Sequence, residues 1–68
     1  MAITIKAARI NVGLLRADVQ KRLKAEFNIK ISINTLASYE NGTTQPNIST
    51  AKALASIYGR TVDELIFL

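Results

Sequence analysis

The chain has 68 residues, with nine Lys and Arg against five Asp and Glu, a net charge of +4 and a pI near 9.9. A chain this short is expected to form one domain, 1–68, that buries only about 60% of its unfolded surface and is stable by a few kcal/mol. With no cysteine there is no disulfide framework and no thiolate metal site, and with no histidine the usual general base and zinc ligand are missing, so enzyme classes lose most of their parts and no cofactor is implied. The positive balance favours nucleic acid or another acidic surface as partner, although a basic surface also serves solubility. No apolar run approaches the roughly 18 residues of a membrane span, and the N-terminus lacks a charged segment followed by an apolar core. A cytoplasmic location without membrane contact is the expectation.

Thr4 can cap a helix over Ile5 to about Val12, in which Ile5, Ala8 and Val12 share the buried face and Gly13 provides the stop. Arg9 lies at the edge of that face, where a long cation either reaches solvent or meets a carboxylate. Ile3, Ala7 and Ile10 fall on the far side of the wheel and read either as scattered apolar surface or as a partner face. Leu14 drops into the core from the connection. A second helix runs from Arg16 to about Glu26, with Val19, Leu23 and Phe27 on one stripe. Its other face carries Lys21, Arg22 and Lys24, and a charged outer face on a surface helix needs no ligand to explain it. Arg16 differs, because the helix dipole disfavours a cation in the first turn unless an anion stands beside it, and a phosphate would supply one. Asn28 can take the left-handed conformation that ends a helix, after which Ile29-Lys30-Ile31 is too apolar for a free linker and reads as an anchored connection.

The stretch from Ile31 to Pro46 contains a third, short amphipathic helix. Ser32 can accept its first free N–H groups, Leu36 and Tyr39 fall on one face, and Gly42 ends it. The opposite face carries Asn34, Ala37, Ser38 and Asn41, small or amide side chains that can approach a base edge without crowding it. Any small surface helix can look the same. Gly42 to Gln45 is a polar loop, and Pro46 biases Gln45 away from the helical region. Asn47 then caps a fourth helix over Ile48 to Tyr58, with Ile48, Ala51, Leu54, Ala55 and Tyr58 facing inward and Gly59 ending it. Thr61-Val-Asp-Glu64 is a capping box that predicts a fifth helix from Val62 to about Phe67. The fold class expected is a compact all-α domain of five helices.

One order of residues runs across nearly the whole chain: Ile5-Lys-Ala-Ala-Arg9, Gly13-Leu14, Thr35-Leu36, Tyr39-Glu-Asn-Gly42, Pro46, Leu54-Ala55, Gly59 and Val62-Asp-Glu-Leu65. In that order, from about Ile5 to Leu65, the chain resembles the Cro and phage-repressor class of helix-turn-helix domains, often called lambda-repressor-like. The resemblance implies that the second and third helices form the DNA-reading pair, with the third in the major groove. It matches Ile33, Asn34, Ala37 and Ser38 to base-facing positions, and Arg16, Thr35, Asn41, Thr43 and Thr44 to positions that commonly touch phosphates. Lys30, near this surface, adds phosphate attraction. Arg9 and Glu40 match a structural ion pair between the first helix and the end of the third.

The chain also departs from the family pattern. Leu23 to Ile31 is about six residues longer than the tight turn between the second and third helices allows, so either the second helix is extended or the turn is a real loop. Gln20 stands where a small residue permits a close helix crossing, and Leu15 stands where Ser or Thr caps the second helix. Ile31 to Ala51 holds no cation and one anion, Glu40. The function implied is a sequence-specific transcriptional regulator of phage or mobile-element type, Cro-like or a repressor, on a double-stranded operator. Such small proteins usually need a symmetric homodimer on a near-palindrome, for which Ile66, Phe67 and Leu68 with Ile57 are candidates when they are not closing the core. The alternative is a protein-binding module, such as an antirepressor that grips a repressor with the same helices; the uncharged third helix, the longer turn and the isoleucine row fit it.

Overall fold

Local side chains fix where each helix starts. In the computed structural model, which describes residues 2–67, Thr4 Oγ1 accepts from Ala7 N–H at 3.2 Å and opens α1 (Ile5–Asn11). Ser32 Oγ accepts from Thr35 N–H at 3.0 Å to open α3 (Ile33–Asn41), and Asn47 Oδ1 accepts from Thr50 N–H at 2.8 Å to open α4 (Ile48–Tyr58). Leu15 has no acceptor to offer at the start of α2 (Arg16–Phe27). Asp18 compensates in part, its carboxylate accepting from Leu15 N–H at 2.9 Å, with a negative charge where the helix dipole favours one. Asn28, at φ 55°, and Gly42, at φ 80°, end α2 and α3 in the left-handed conformation.

Packing then sorts the helix faces. Val19, Leu23 and Leu54 are fully buried, and α4 runs through the centre, contributing Ala51, Ala53, Leu54, Ala55, Ile57 and Tyr58 to the core. Leu14, Ile29 and Ile31 pack against this core from the connections, as expected for a tethered chain. Three expected core residues lie outside it, all at helix ends. Val12 follows the last turn of α1 and is 44% exposed, and Arg9, one turn beyond Ile5, takes the inward place. Phe27, at the last position of α2, is 37% exposed, and Ile48, at the first of α4, is 74% exposed. A helical side chain leans toward the N-terminus, so Ile48 projects past the packed region while Thr50 and Ala51 fill it.

The fifth helix does not form, so the described residues make four α-helices and a short two-stranded sheet. The capping contact is present, with Thr61 N–H donating to Glu64 Oε1 at 2.9 Å and holding that carboxyl below its usual range. Only a 3-10 turn, Val62–Glu64, follows it. Strand β2 (Leu65–Ile66) then pairs in parallel with β1 (Ile3–Thr4), Ile3 opposite Leu65 and Thr4 opposite Ile66. An isolated turn of helix is costly to nucleate. An extended chain alternates its faces instead, so Leu65 and Phe67 reach the core while Ile66 points outward. Ile3 likewise packs half-buried against the core, so it forms no exposed row with Ile10, which stands in solvent by itself. Ile57 is buried and Phe67 packs inward, leaving Ile66 as the exposed member of the expected dimer patch; Leu68 lies outside the described residues. Among the described residues no helix is long and apolar enough to cross a membrane.

Tyr58 gives this core a pH signature. Burial pushes its phenol up to about 12, the Glu40 carboxylate pushes the same way, and the Arg9 guanidinium opposes them. Between pH about 10 and about 12 the unfolded chain has therefore lost a proton that the folded chain keeps, and stability falls as pH rises through that window, by about 2 to 3 kcal/mol. Urea unfolding across that range is expected to show this loss in the wild-type chain and a flatter profile in Tyr58→Phe.

Candidate nucleic-acid interface

Helix α3 turns two different faces to its surroundings. Leu36 and Glu40, four residues apart, are buried on the inner face, and Tyr39 packs beside them. The outer face leaves Ile33, Asn34 and Asn41 exposed and Ala37 and Ser38 half-buried. The loop after Gly42 folds back along this face, with Thr43 N–H donating to the Ser38 carbonyl at 3.0 Å. A cleft of about 380 Å³ results, lined by Asn34, Thr35, Ser38, Tyr39, Thr44 and Gln45. It brings two residues matched to base-facing positions, Asn34 and Ser38, together with two matched to phosphate positions, Thr35 and Thr44. Ile33, Ala37, Asn41 and Thr43 lie outside its lining, and Lys30 is exposed on the connection before α3.

A buried carboxylate sets the orientation of this helix. Glu40 has a side chain only 2% exposed, and Arg9 Nε donates to its Oε2 at 2.7 Å. Arg16 Nε donates to the other oxygen, Oε1, at 3.0 Å, and its Nη2 lies 2.9 Å from the same atom in an ion pair. Arg9 also uses Nη1 to donate to the Leu14 carbonyl at 2.8 Å, which ties down the connection between α1 and α2. One anion thus joins α1, the first turn of α2 and the last turn of α3. The anion that satisfies Arg16 in its helix-start position is Glu40, where the sequence reading looked to a phosphate. The signal was present: Glu40 is the sole charge between Ile31 and Ala51 and shares the inner face with Leu36, so it has to draw its countercharges from other helices.

The long stretch from Leu23 to Ile31 is divided between the two elements: α2 runs on through Phe27, and only residues 28–32 form a loop before α3. Asn28 turns the chain, Ile29 N–H donates to the Leu23 carbonyl at 3.0 Å, and the Gln20 side-chain amide donates to the Ile31 carbonyl at 3.0 Å. Gln20, which stands where the resemblance implies a small residue, uses its length to secure this connection. A helix-turn-helix family model matches residues 5–65, from the first residue of α1 to the first of β2. The chain belongs to the Cro and phage-repressor class of helix-turn-helix proteins. That family is one of DNA-binding regulatory domains, typically without enzymatic activity. No curated protein and no solved structure matches the chain. The exposed face of α3 is the candidate interface of this helix-turn-helix protein.

Glu40→Gln keeps the side-chain shape and removes the charge that two guanidinium groups face. Removing one partner of a buried ion pair costs about 3 to 5 kcal/mol, and the partial exposure of Arg16, 34% for its side chain, places the expectation at the lower end. Urea denaturation of the variant checks this; a loss under about 1 kcal/mol would show that the network contributes little to holding α3.

Proposed function

We propose that the protein is a sequence-specific transcriptional regulator that lays the N-terminal part of α3 in the major groove of a double-stranded operator. One observation carries the reading: the outward face of α3 is compact and uncharged, with small and amide side chains, and it sits on a helix fixed from behind by a buried ion network. Asn34 is the principal base reader, its amide able to make a bidentate contact with adenine N6 and N7. Ile33 and Ala37 supply apolar contact for a thymine methyl, and Ser38 a small donor or acceptor. Thr35, Asn41, Thr43 and Thr44 touch phosphates beside them, joined by Lys30 and by Arg16, whose Nη1 is left over after Nε and Nη2 bind Glu40.

A single half-site spans few base pairs, so the protein acts as a symmetric homodimer on a near-palindrome. Ile66, exposed at the sheet edge, is the described residue best placed to contribute to such a dimer. The proposed role is Cro-like or that of a repressor in a phage or mobile element, carried out in the cytoplasm, and membership of the family supports it. The alternative of an antirepressor loses one of its supports, since Ile3 is drawn into the sheet and the isoleucine row is absent.

Asn34→Ala is expected to weaken binding to the selected operator by about 1 to 3 kcal/mol and to relax preference at one base pair, with the thermal unfolding profile intact. Selection from a randomised duplex pool, followed by titration of both proteins, measures it. The same preference in the variant would remove Asn34 from the readout.

A further inference from the structure

The cations of this chain divide by type. Each of the four arginines faces a carboxylate: Arg9 and Arg16 share Glu40, Arg22 meets Glu26 at 2.7 Å, and Arg60 approaches Glu64 at 3.8 Å. Asp18 is taken up by the Leu15 N–H. None of the five lysines is in an ion pair among the described residues, and three of them converge on one place. Lys21, Lys24 and Lys30, together with Gln20 and Ile31, line a cleft of about 410 Å³ between the outer face of α2 and the connection to α3.

This cleft is built jointly by α2 and the connection after it. Ile29 is bonded to the Leu23 carbonyl on one side of Lys30, and the Ile31 carbonyl is held by Gln20 on the other, so the Lys30 backbone is anchored while its side chain stays in solvent. Lys21 and Lys24 lie one helical turn apart on the facing wall. Three ammonium groups around one cleft repel one another, and with no internal carboxylate to offset them they raise the local concentration of anions. Each carries three donors, which suits phosphate oxygens approached from several directions.

The position says which phosphate. Lys30 precedes Ile33, the first residue of α3, by three positions, or at most roughly 11 Å of chain. The cleft therefore lies beside the N-terminal end of α3, the end that the operator-binding reading puts in the groove. We infer that Lys21, Lys24 and Lys30 form a phosphate clamp on the backbone flanking the bases read by α3, an accessory contact shared between α2 and the connection that follows it. The inference rests on the operator-binding reading and assigns the lysines of α2 a role that a solvated face would not have.

The test is the salt dependence of binding to a mixed-sequence duplex, which reads phosphate contacts without base readout. The triple variant Lys21→Gln, Lys24→Gln, Lys30→Gln is expected to flatten the slope of log K against log salt by about two to three units and to weaken every sequence alike, while the corresponding triple Lys→Arg variant keeps the slope. All three positions are exposed, so an unchanged thermal profile is expected of both variants. An unchanged slope in the Gln variant, with Asn34→Ala still impaired on the selected operator, overturns the clamp alone. A wild-type chain that binds no duplex at low salt overturns the operator reading and the clamp with it.

Discussion

The constraint on which the rest of the structure depends is the burial of one carboxylate. A charge as enclosed as Glu40 is tolerable only with close, well-directed partners, since its desolvation alone costs several kcal/mol. Arg9 and Arg16 supply them from two other helices, at 2.7 and 2.9 Å. Because the partners come from different elements, the carboxylate cannot be satisfied unless α1, α2 and α3 are correctly placed together. The network therefore fixes the rotation of α3 about its own axis. With Leu36 and Glu40 turned inward, Asn34 and Asn41 have to face out.

Features written in neighbouring residues were legible in the sequence. Thr4, Ser32 and Asn47 cap the helices they were expected to cap, and Asn28, Gly42 and Gly59 end three of them in left-handed backbone. These signals act within about one turn and do not need the rest of the fold. The errors lie where tertiary contacts decide. Val12, Phe27 and Ile48 match the helical period but stand at ends that no neighbour covers. The capping box at Thr61 is real, yet the residues after it gain more by pairing with Ile3 and Thr4 than by adding a helical turn. The candidate face of α3 was readable from its pattern of small and amide side chains, whereas the cleft it shares with Thr44 depends on a loop path that no local rule fixes. Arg16 illustrates the same limit: its need for an anion was visible, and the identity of that anion required the fold.

Lengthening the connection between α2 and α3 changes more than spacing. In a tight turn the two helices cross closely and a small residue at the crossing is enough. Here Gln20 spans the gap to the Ile31 carbonyl, Ile29 and Ile31 anchor the loop to the core, and Lys30 is carried outward. Arginine and lysine divide the work accordingly. The planar guanidinium groups, able to serve two acceptors at once, hold carboxylates within the protein. The lysines stay at the surface, where their charge acts on whatever anion approaches. A helix whose outward face carries no charge can thus sit in a chain of net charge +4.

Operator recognition is the central claim, and equilibrium titration against the intergenic DNA beside the protein's own gene tests it most directly, with a scrambled duplex of equal length as reference and several salt concentrations for each. The account predicts a clear preference for the native fragment that weakens steeply as salt rises. Equal, weak binding to both duplexes would contradict it and turn attention to the face of α3 as a surface for another protein.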